Sequence, residues 1–151
     1  MVVATKKKGA QKRRGQAALS DYVPSEREEF MNDTMRNFFR QRLVDWRSEL
    51  LRESNETLQN MQQESLQEPD IADRASLETE RALELRTRDR ERKLISKIDS
   101  ALRGIDDGTY GYCEDTGEPI GLRRLMARPI ATLSIEAQER HERMERTHRD
   151  D

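Results

Sequence analysis

The stretch from Met31 to Leu50, MNDTMRNFFRQRLVDWRSEL, decides the fold because its apolar residues recur at steps of three and four. Such spacing places them on one face of an α-helix. That face consists of Met31, Met35, Phe38, Phe39, Leu43, Trp46 and Leu50. Upstream, Ser25 and Glu28 have the spacing of a capping box, which predicts that the helix begins at Ser25.

The apolar face thins after Leu50. Only scattered apolar residues, such as Leu58 and Met61, stand among Glu, Gln, Asn and Ser, and Pro69 ends the helical pattern. The first helix therefore has a strongly apolar start and a mostly polar end, next to a turn near Pro69.

A second helical pattern begins near Asp70 or Asp73, either of which can cap a helix, and ends near Ile105 before Gly108. Its apolar residues gather late, at Leu94, Ile95, Ile98, Ala101, Leu102 and Ile105. Two long helices that are both most apolar away from their common turn predict an antiparallel hairpin. Its base would be well packed, and its distal half would project as a finger.

The composition supports a mainly α fold with a small core. Of 151 residues, 33% are apolar and 38% are charged, whereas average globular chains have about 45–50% and about 25%. We expect a long antiparallel coiled-coil hairpin on a small globular base, followed by a C-terminal helix. No apolar run is long enough for a membrane span or a signal segment, and the lone cysteine excludes a disulfide framework, which favours a cytoplasmic protein.

The predicted organisation has four parts. They are a disordered basic tail (1–24), a globular base (25–32 and 106–133), a coiled-coil finger (33–105, with its tip at 68–75) and a C-terminal helix (134–151) that frays from Arg143. Within the base, the pattern predicts a short hairpin around Glu114–Gly117 and a helical turn over Leu122–Arg128, ended by Pro129.

The charges of the finger change sign along its length. Residues 56–80 contain seven acidic side chains and one basic one, whereas residues 81–103 contain eight basic and four acidic ones. An acidic tip on a basic shaft suits insertion into a basic pore that holds a cation or a phosphate. Because acids interrupt the basic run and its charges lie around the helix, a solvated surface is favoured over a nucleic-acid stripe.

Asp70 and Asp73 are the candidate functional residues of the tip. Their spacing of three lets both approach one Mg²⁺ through water, but both are also common capping residues beside a turn. No nucleophile constellation or glycine-rich phosphate loop is present, and no motif surrounds His141 or His148. The chain is therefore not expected to be an enzyme.

Three segments together resemble the DksA family of bacterial transcription factors. They are EPDIADRA (68–75), ELRTRDRERKLISKI (84–98) and GYCEDTGEPIGLRRLMARP (111–129). The resemblance covers about residues 26–140. It implies a monomeric factor whose finger enters the secondary channel of bacterial RNA polymerase and which acts with the alarmone ppGpp on initiation, as in the stringent response at ribosomal RNA promoters, without binding DNA or a membrane.

The resemblance also implies roles for individual residues. At the tip, Asp70, Asp73 and Ala75 match the residues that act near the polymerase active site, and Arg90 matches a polymerase contact on the shaft. Leu94, Lys97 and Arg128 match residues that face ppGpp. Gln67 and Gln138 stand where the best-studied type has Asn and Lys, and the loss of that Lys is expected to weaken the ppGpp response.

The usual zinc pattern of the family is C-x2-C-x17-C-x2-C, which is diagnostic of a four-thiolate site. Here the four positions are Cys113, Thr116, Ser134 and Ala137. Three thiolates are missing, so neither zinc nor another tightly bound cofactor is expected. The base should keep its shape through packing, with Ser134 as the cap of the last helix.

Two other functions remain open from the sequence. One is a transcript-cleavage factor similar to the Gre proteins, whose acidic tips stabilise a second Mg²⁺. The other is a coiled-coil adaptor for a different partner, with the basic tail touching nucleic acid.

Overall fold

The computed structural model describes residues 21–64 and 71–149 and is mainly α-helical. Its helices are α1 (Asp33–Glu64), α2 (Ile71–Asp107), α3 (Leu122–Ala127) and α4 (Ile135–Arg149). Among the described residues, no helix is long and apolar enough to cross a membrane. The predicted tip residues Gln67 and Asp70 lie outside the described ranges.

Helices α1 and α2 pack against each other as an antiparallel hairpin, as predicted. Two ion pairs show the direction: Arg40 Nη2 lies 2.8 Å from Asp106 Oδ1, and Arg47 Nε lies 2.7 Å from Asp99 Oδ1. From the first pair to the second, the position on α1 moves seven residues forward and the position on α2 moves seven residues back. Two pairs at heptad spacing therefore define the alignment of the helices near the base.

The hydrophobic core lies at the base of the hairpin. Its fully buried large side chains are Met35, Phe39, Leu43, Ile98, Ile105 and Leu125. They come from the first half of α1, the second half of α2 and the short helix α3. Between residues 51 and 97, no described side chain is fully buried, so the distal part of the hairpin is a finger exposed to solvent.

The predicted start of the first helix at Ser25 is wrong. Ser25 N does donate to Glu28 Oε2 at 3.4 Å, as in a capping box, but Ser25 Oγ accepts from Arg27 N at 3.1 Å, and these residues form only one turn. Met31 adopts a left-handed backbone with φ of 55°, which interrupts the helical path. The helix begins at Asp33, and Asn32 is its cap, because Asn32 Oδ1 accepts a hydrogen bond from Met35 N at 2.8 Å.

The predicted tail, residues 1–24, extends too far. Residues 1–20 lie outside the described ranges, but two of the next four residues pack into the fold. The Tyr22 ring makes an edge contact with Phe38 at 6.0 Å, and Pro24 is buried. The Tyr22 hydroxyl also donates a hydrogen bond to Glu28, which ties the incoming chain to the turn at Ser25.

The second helix continues to Asp107, two residues beyond the predicted end at Ile105. Gly108 follows with φ of 79°, and Thr109 N and Tyr110 N both donate to Gly104 O, at 2.9 and 3.0 Å. A glycine in the left-handed region is the usual end of a helix. This sharp stop turns the chain back against the base.

Residues 108–134 fold over the base and include the predicted hairpin. Tyr112 and Pro119 form an antiparallel bridge, and Gly117 closes the turn with φ of 72°. The Tyr110 hydroxyl donates to Pro129 O at 2.8 Å, and burial raises the pKa of Tyr110 above its ordinary value. The predicted helical turn is α3.

The last helix does not fray from Arg143 as predicted. It continues to Arg149, although every side chain from residue 139 to residue 149 is exposed. Local bonds support this part: Gln138 Nε2 donates to Glu142 Oε1 at 3.1 Å, and Thr147 Oγ1 donates to Arg143 O at 2.7 Å. Contacts between neighbouring turns of one helix stabilise it without a core.

Candidate functional site

The described part of the tip is the first turn of α2. Asp73 is an acidic residue of this turn, and both Asp73 and Ala75 are exposed. Because the helix begins at Ile71, Asp73 lies inside it and is not its cap. A carboxylate in the first turn is favoured by the helix dipole, so Asp73 is an exposed negative group that needs no partner from this chain.

One exposed face of α2 runs from the tip to the base. A helix turns by about 100° per residue, which aligns residues spaced by three or four. This face carries Ala75, Thr79, Ala82, Arg86, Arg90, Lys93, Lys97 and Ser100, and each of these side chains is exposed. We call its four cations, Arg86, Arg90, Lys93 and Lys97, the basic strip.

No acidic residue stands on the basic strip itself. The nearest one, Asp89, lies at its edge and is turned toward Arg92, with 4.0 Å between Oδ1 and Nη1. The interpretation from sequence that the charges surround the helix is therefore incomplete. It overlooked the alignment of four cations, which spacings of three and four residues in the sequence already contain.

The basic strip ends at a cavity of about 440 Å³ between α2, α3 and the start of α4. Lys97, Arg128 and Gln138 line it together, although they are far apart in the chain. A cavity of this size falls in the range that binds small molecules and nucleotides. Leu94 is not part of the lining; it packs against the core one turn before Lys97.

Arg124 is a lining residue that no motif of the sequence indicated. Its Nε donates to Leu133 O at 2.8 Å, which holds the guanidinium at the cavity. Arg124 therefore adds a third cation beside Lys97 and Arg128. Glu114 is the one acidic residue of the described lining. The doublet Arg123-Arg124 in the third quoted segment was a signal, but sequence alone does not say which of the two faces the cavity.

A second cavity of about 560 Å³ adjoins the first. The two share the lining residues Ser100, Glu114, Ile130, Ala131 and Thr132. The second cavity is bounded by small residues of α2, including Gly104, and by the loop that contains Cys113. The cationic cavity therefore lies directly beside this loop.

The four positions that correspond to zinc ligands are still gathered in the fold. Cys113 is buried, and its Sγ accepts a hydrogen bond from Ser134 N at 3.3 Å. The Oγ of Ser134 accepts from Ala137 N at 3.3 Å, so Ser134 caps α4 as predicted. Thr116 also donates to the sulfur through its hydroxyl and its backbone N–H.

Hydrogen bonds stabilise the ionised form of Cys113. Burial opposes ionisation of this thiol, but bonds from the backbone N–H groups of Ser134, Thr116 and Asp115 and from the Thr116 hydroxyl outweigh it. Together they lower the pKa of Cys113 to about 6. A thiolate in such a cradle of N–H groups is the state that a zinc ligand would also have.

The residues present do not fit a zinc ion. Tight structural zinc sites use four ligands drawn from Cys, His and carboxylates. Here one position is alanine, and both hydroxyl groups, those of Thr116 and Ser134, are engaged in hydrogen bonds. Within the described ranges, no three residues among His, Cys, Asp and Glu are grouped so that they could hold a metal ion.

Two family models match most of the folded part of the chain. Residues 35–105 match "DnaK suppressor protein DksA, N-terminal domain". Residues 108–143 match "Prokaryotic dksA/traR C4-type zinc finger". The first match covers the hairpin, and the second covers the base loop, α3 and most of α4.

Curated relatives agree with these matches. The chain is 67% identical over 132 residues to the "RNA polymerase-binding transcription factor DksA" of Caulobacter vibrioides, with 87% of this chain and 93% of that protein covered. It is 47% identical over 120 residues to the protein of the same name from Escherichia coli K12, with 80% of each chain covered. These relatives are named as transcription factors and not as enzymes.

A solved structure shares the fold. The structure of transcription factor DksA2 from Pseudomonas aeruginosa has a TM-score of 0.73 and 42% identity, and covers 87% of this chain and 98% of that chain. The family resemblance and the helical fold expected from the sequence are thus confirmed. By its two family models, its relatives and its fold, the chain belongs to the DksA family.

Proposed function

We propose that this chain binds bacterial RNA polymerase, inserts its finger into the secondary channel, and regulates transcription initiation together with ppGpp without binding DNA. The names of the relatives support polymerase as the partner. The observation that carries the proposal is the exposed face of α2, because it joins the tip, the basic strip and the cationic cavity on one surface.

The basic strip supports docking to an acidic protein surface. Its four cations are exposed, and none of them forms an ion pair with another described residue. Complementary charge accelerates association and sets orientation more than it adds affinity. Arg90 lies in the middle of the strip, where a polymerase contact would align the finger with a channel.

The exposed carboxylate of Asp73 supports an action at the tip. It lies at the far end of the finger from the core, and its side chain is exposed. In a channel that leads to a catalytic Mg²⁺, such a carboxylate would alter the electrostatics or the water ligands of the metal. Asp70 and Ala75 are the other two residues proposed to act at the tip.

The cationic cavity supports a role for ppGpp as co-effector. Lys97, Arg124 and Arg128 offer positive charge for its phosphate groups, and Arg124 compensates in part for the Gln at position 138. Leu94 contributes through packing one turn away. The opening would be completed by polymerase, so tight binding of ppGpp to the isolated chain is not required.

We further propose that the factor acts as a monomer in the cytoplasm and that it contains no zinc. The donor set at Cys113, Thr116, Ser134 and Ala137 supports this last point, since it offers one thiolate where a closed zinc site needs four ligands.

The function is tested with Asp73→Asn, which removes the tip charge and keeps the shape of the side chain. In transcription in vitro from a ribosomal RNA promoter, we expect the variant to lose at least tenfold in regulatory effect while it competes for polymerase as well as the wild type does. The matched control is Glu80→Gln, an exposed acid two turns further along α2, which should retain full activity.

Three outcomes would contradict the proposal. Unchanged regulation in Asp73→Asn would exclude the tip mechanism. Stimulated RNA cleavage in backtracked polymerase complexes would favour a factor similar to the Gre proteins. Failure of the wild-type chain to bind polymerase would favour a coiled-coil adaptor for another partner.

A further inference from the structure

A structural zinc ion in a four-thiolate finger joins two segments of chain. In this fold the two segments are the loop at 113–116 and the start of α4 at 134–137. Because a metal bond is strong, loss of the ion should let these segments separate unless other contacts replace it. The structure keeps them together, and the contacts responsible can be identified.

The first contacts are hydrogen bonds at the former metal position. Ser134 N donates to Cys113 Sγ at 3.3 Å, and Glu114 N donates to Thr132 O at 2.9 Å. The first bond joins the two segments, and the second joins the loop to Thr132, two residues before the start of the second segment. The sulfur of Cys113 thus remains the centre of the arrangement, but as an acceptor of hydrogen bonds.

The second contact is a hydrogen bond between two side chains at the rim. His141 Nε2 lies 2.7 Å from Asp115 Oδ2. Asp115 belongs to the loop between the first two former ligand positions, and His141 follows Ala137 by one turn of α4, on the same face. Since Ala137 is completely buried, the pair lies directly outside the position where the fourth ligand would bind.

We propose that the His141–Asp115 pair, together with the hydrogen bonds around Cys113, holds the loop against α4 in place of zinc. The base of this chain keeps its shape by these contacts and is independent of metal supply. This inference rests on the zinc-free base proposed above, but it does not depend on the polymerase mechanism.

The first test uses the unaltered chain. Purified protein should contain no stoichiometric zinc by mass spectrometry. Its amide hydrogen exchange in residues 110–120 and 131–141 should be the same with and without a zinc chelator. One equivalent of zinc, or faster exchange after chelation, would overturn the proposal.

The second test is a double-mutant cycle with Asp115→Ala and His141→Ala. Each single change should accelerate exchange of the loop amides about threefold to fivefold, the size expected for a half-exposed side-chain hydrogen bond, and the double change should add nothing further. His148→Ala, at an exposed histidine of the same helix, is the control and should have no effect. Unchanged exchange in the single variants, or effects that multiply in the double variant, would overturn the proposal.

The third test restores the thiolates in the triple variant Thr116→Cys, Ser134→Cys, Ala137→Cys. It should bind one zinc ion, and in its zinc-bound form His141→Ala should no longer accelerate exchange. A persistent effect of His141→Ala with zinc bound would show that the pair does not replace the metal. These measurements report on the base, whereas Asp73→Asn reports on the opposite end, so failure of either proposal is recognised separately.

Discussion

The base and the finger are built from the same two helices, but their contacts differ in kind. On α2, Ile98 and Ile105 face α1 at heptad spacing and are buried. One and two heptads further toward the tip, the same line of the helix carries Glu91 and Glu84. These two are half-buried, and one carboxylate oxygen of each is covered without a hydrogen-bond partner among the described residues.

This difference separates stability from function. Burial of large apolar side chains stabilises a helix pair, whereas a covered carboxylate oxygen without a partner costs free energy. The base is therefore the part that folds the molecule, and the finger is held in place mainly by its continuity with the base. A polar finger has a corresponding benefit, because it stays soluble when it projects into water or enters a charged channel.

The comparison predicts its largest effect for Phe39→Ala. Phe39 is fully buried at the base, and removal of such a ring costs about 3–5 kcal/mol of unfolding free energy. Leu83→Ala, at a finger residue that is 56% exposed, should cost less than about 0.5 kcal/mol. Urea unfolding measures both values, and equal losses would contradict the division between base and finger.

The second effect is a dependence of the unfolding free energy on pH, caused by the ionisation of Cys113. The pKa of this thiol is about 6 in the folded chain, below the roughly 8.5 of a free cysteine. A depressed pKa stabilises the fold above the unfolded value, and this stabilisation is lost as pH falls from about 8.5 through 6.

We expect the unfolding free energy to decrease by about 2–3 kcal/mol over that range because of this group. Urea unfolding of wild type and Cys113→Ser, in the presence of a reductant and at several pH values, measures it. The serine variant should lack this component. An identical pH profile in both proteins would show that Cys113 is not ionised in the fold.

The third effect is a gain of stability in the finger. Glu91→Leu replaces a half-buried carboxylate on the heptad line with an apolar side chain, and should stabilise the hairpin by about 1–2 kcal/mol. Amide exchange in residues 80–95 should slow accordingly. Glu80→Leu, on an exposed side of α2, should not have this effect, and a similar gain there would indicate helix propensity instead of packing.

The smallest effect concerns the cationic cavity. Arg124→Gln should reduce the ppGpp-dependent part of regulation by about threefold to fivefold, since a partly exposed charge pair contributes up to about 1 kcal/mol, and should leave regulation without ppGpp unchanged. Arg123→Gln, the exposed neighbour that does not line the cavity, is the control. Gln138→Lys adds a cation to the lining and should strengthen the ppGpp response, and equal responses in all three variants would exclude this cavity.

Much of the architecture was predictable from local patterns. The apolar residues at steps of three and four, such as Phe39, Leu43 and Trp46, predicted the hairpin and its core, and Gly108 and Pro129 predicted the ends of α2 and α3. The start of α1 was not predictable, because Ser25 and Glu28 carry a true capping signal that the left-handed backbone of Met31 cancels. That conformation depends on packing, because Met31 is buried and lies against Gly111. A Cβ added at Gly111 would be only 3.1 Å from the Cγ of Met31.

The residues of the candidate site also divide into those that local sequence patterns indicate and those that they do not. Lys97, Arg128, Cys113 and Asp73 were proposed as candidates from the segments that carry the family resemblance. Arg124 and the His141–Asp115 pair were not, since each becomes meaningful only through a neighbour far away in the sequence. Asp115 and His141 are 26 residues apart, and no local pattern relates them.

By itself, the sequence determined the helices, the antiparallel hairpin, the change of charge along the finger and the absence of three thiolates, because each of these follows from residue type and spacing along one chain. Only the tertiary structure decided which of two arginines lines the cavity and what joins the loop at Cys113 to the last helix. These depend on distances between segments that meet only when the base folds, and such distances are not contained in any local periodicity.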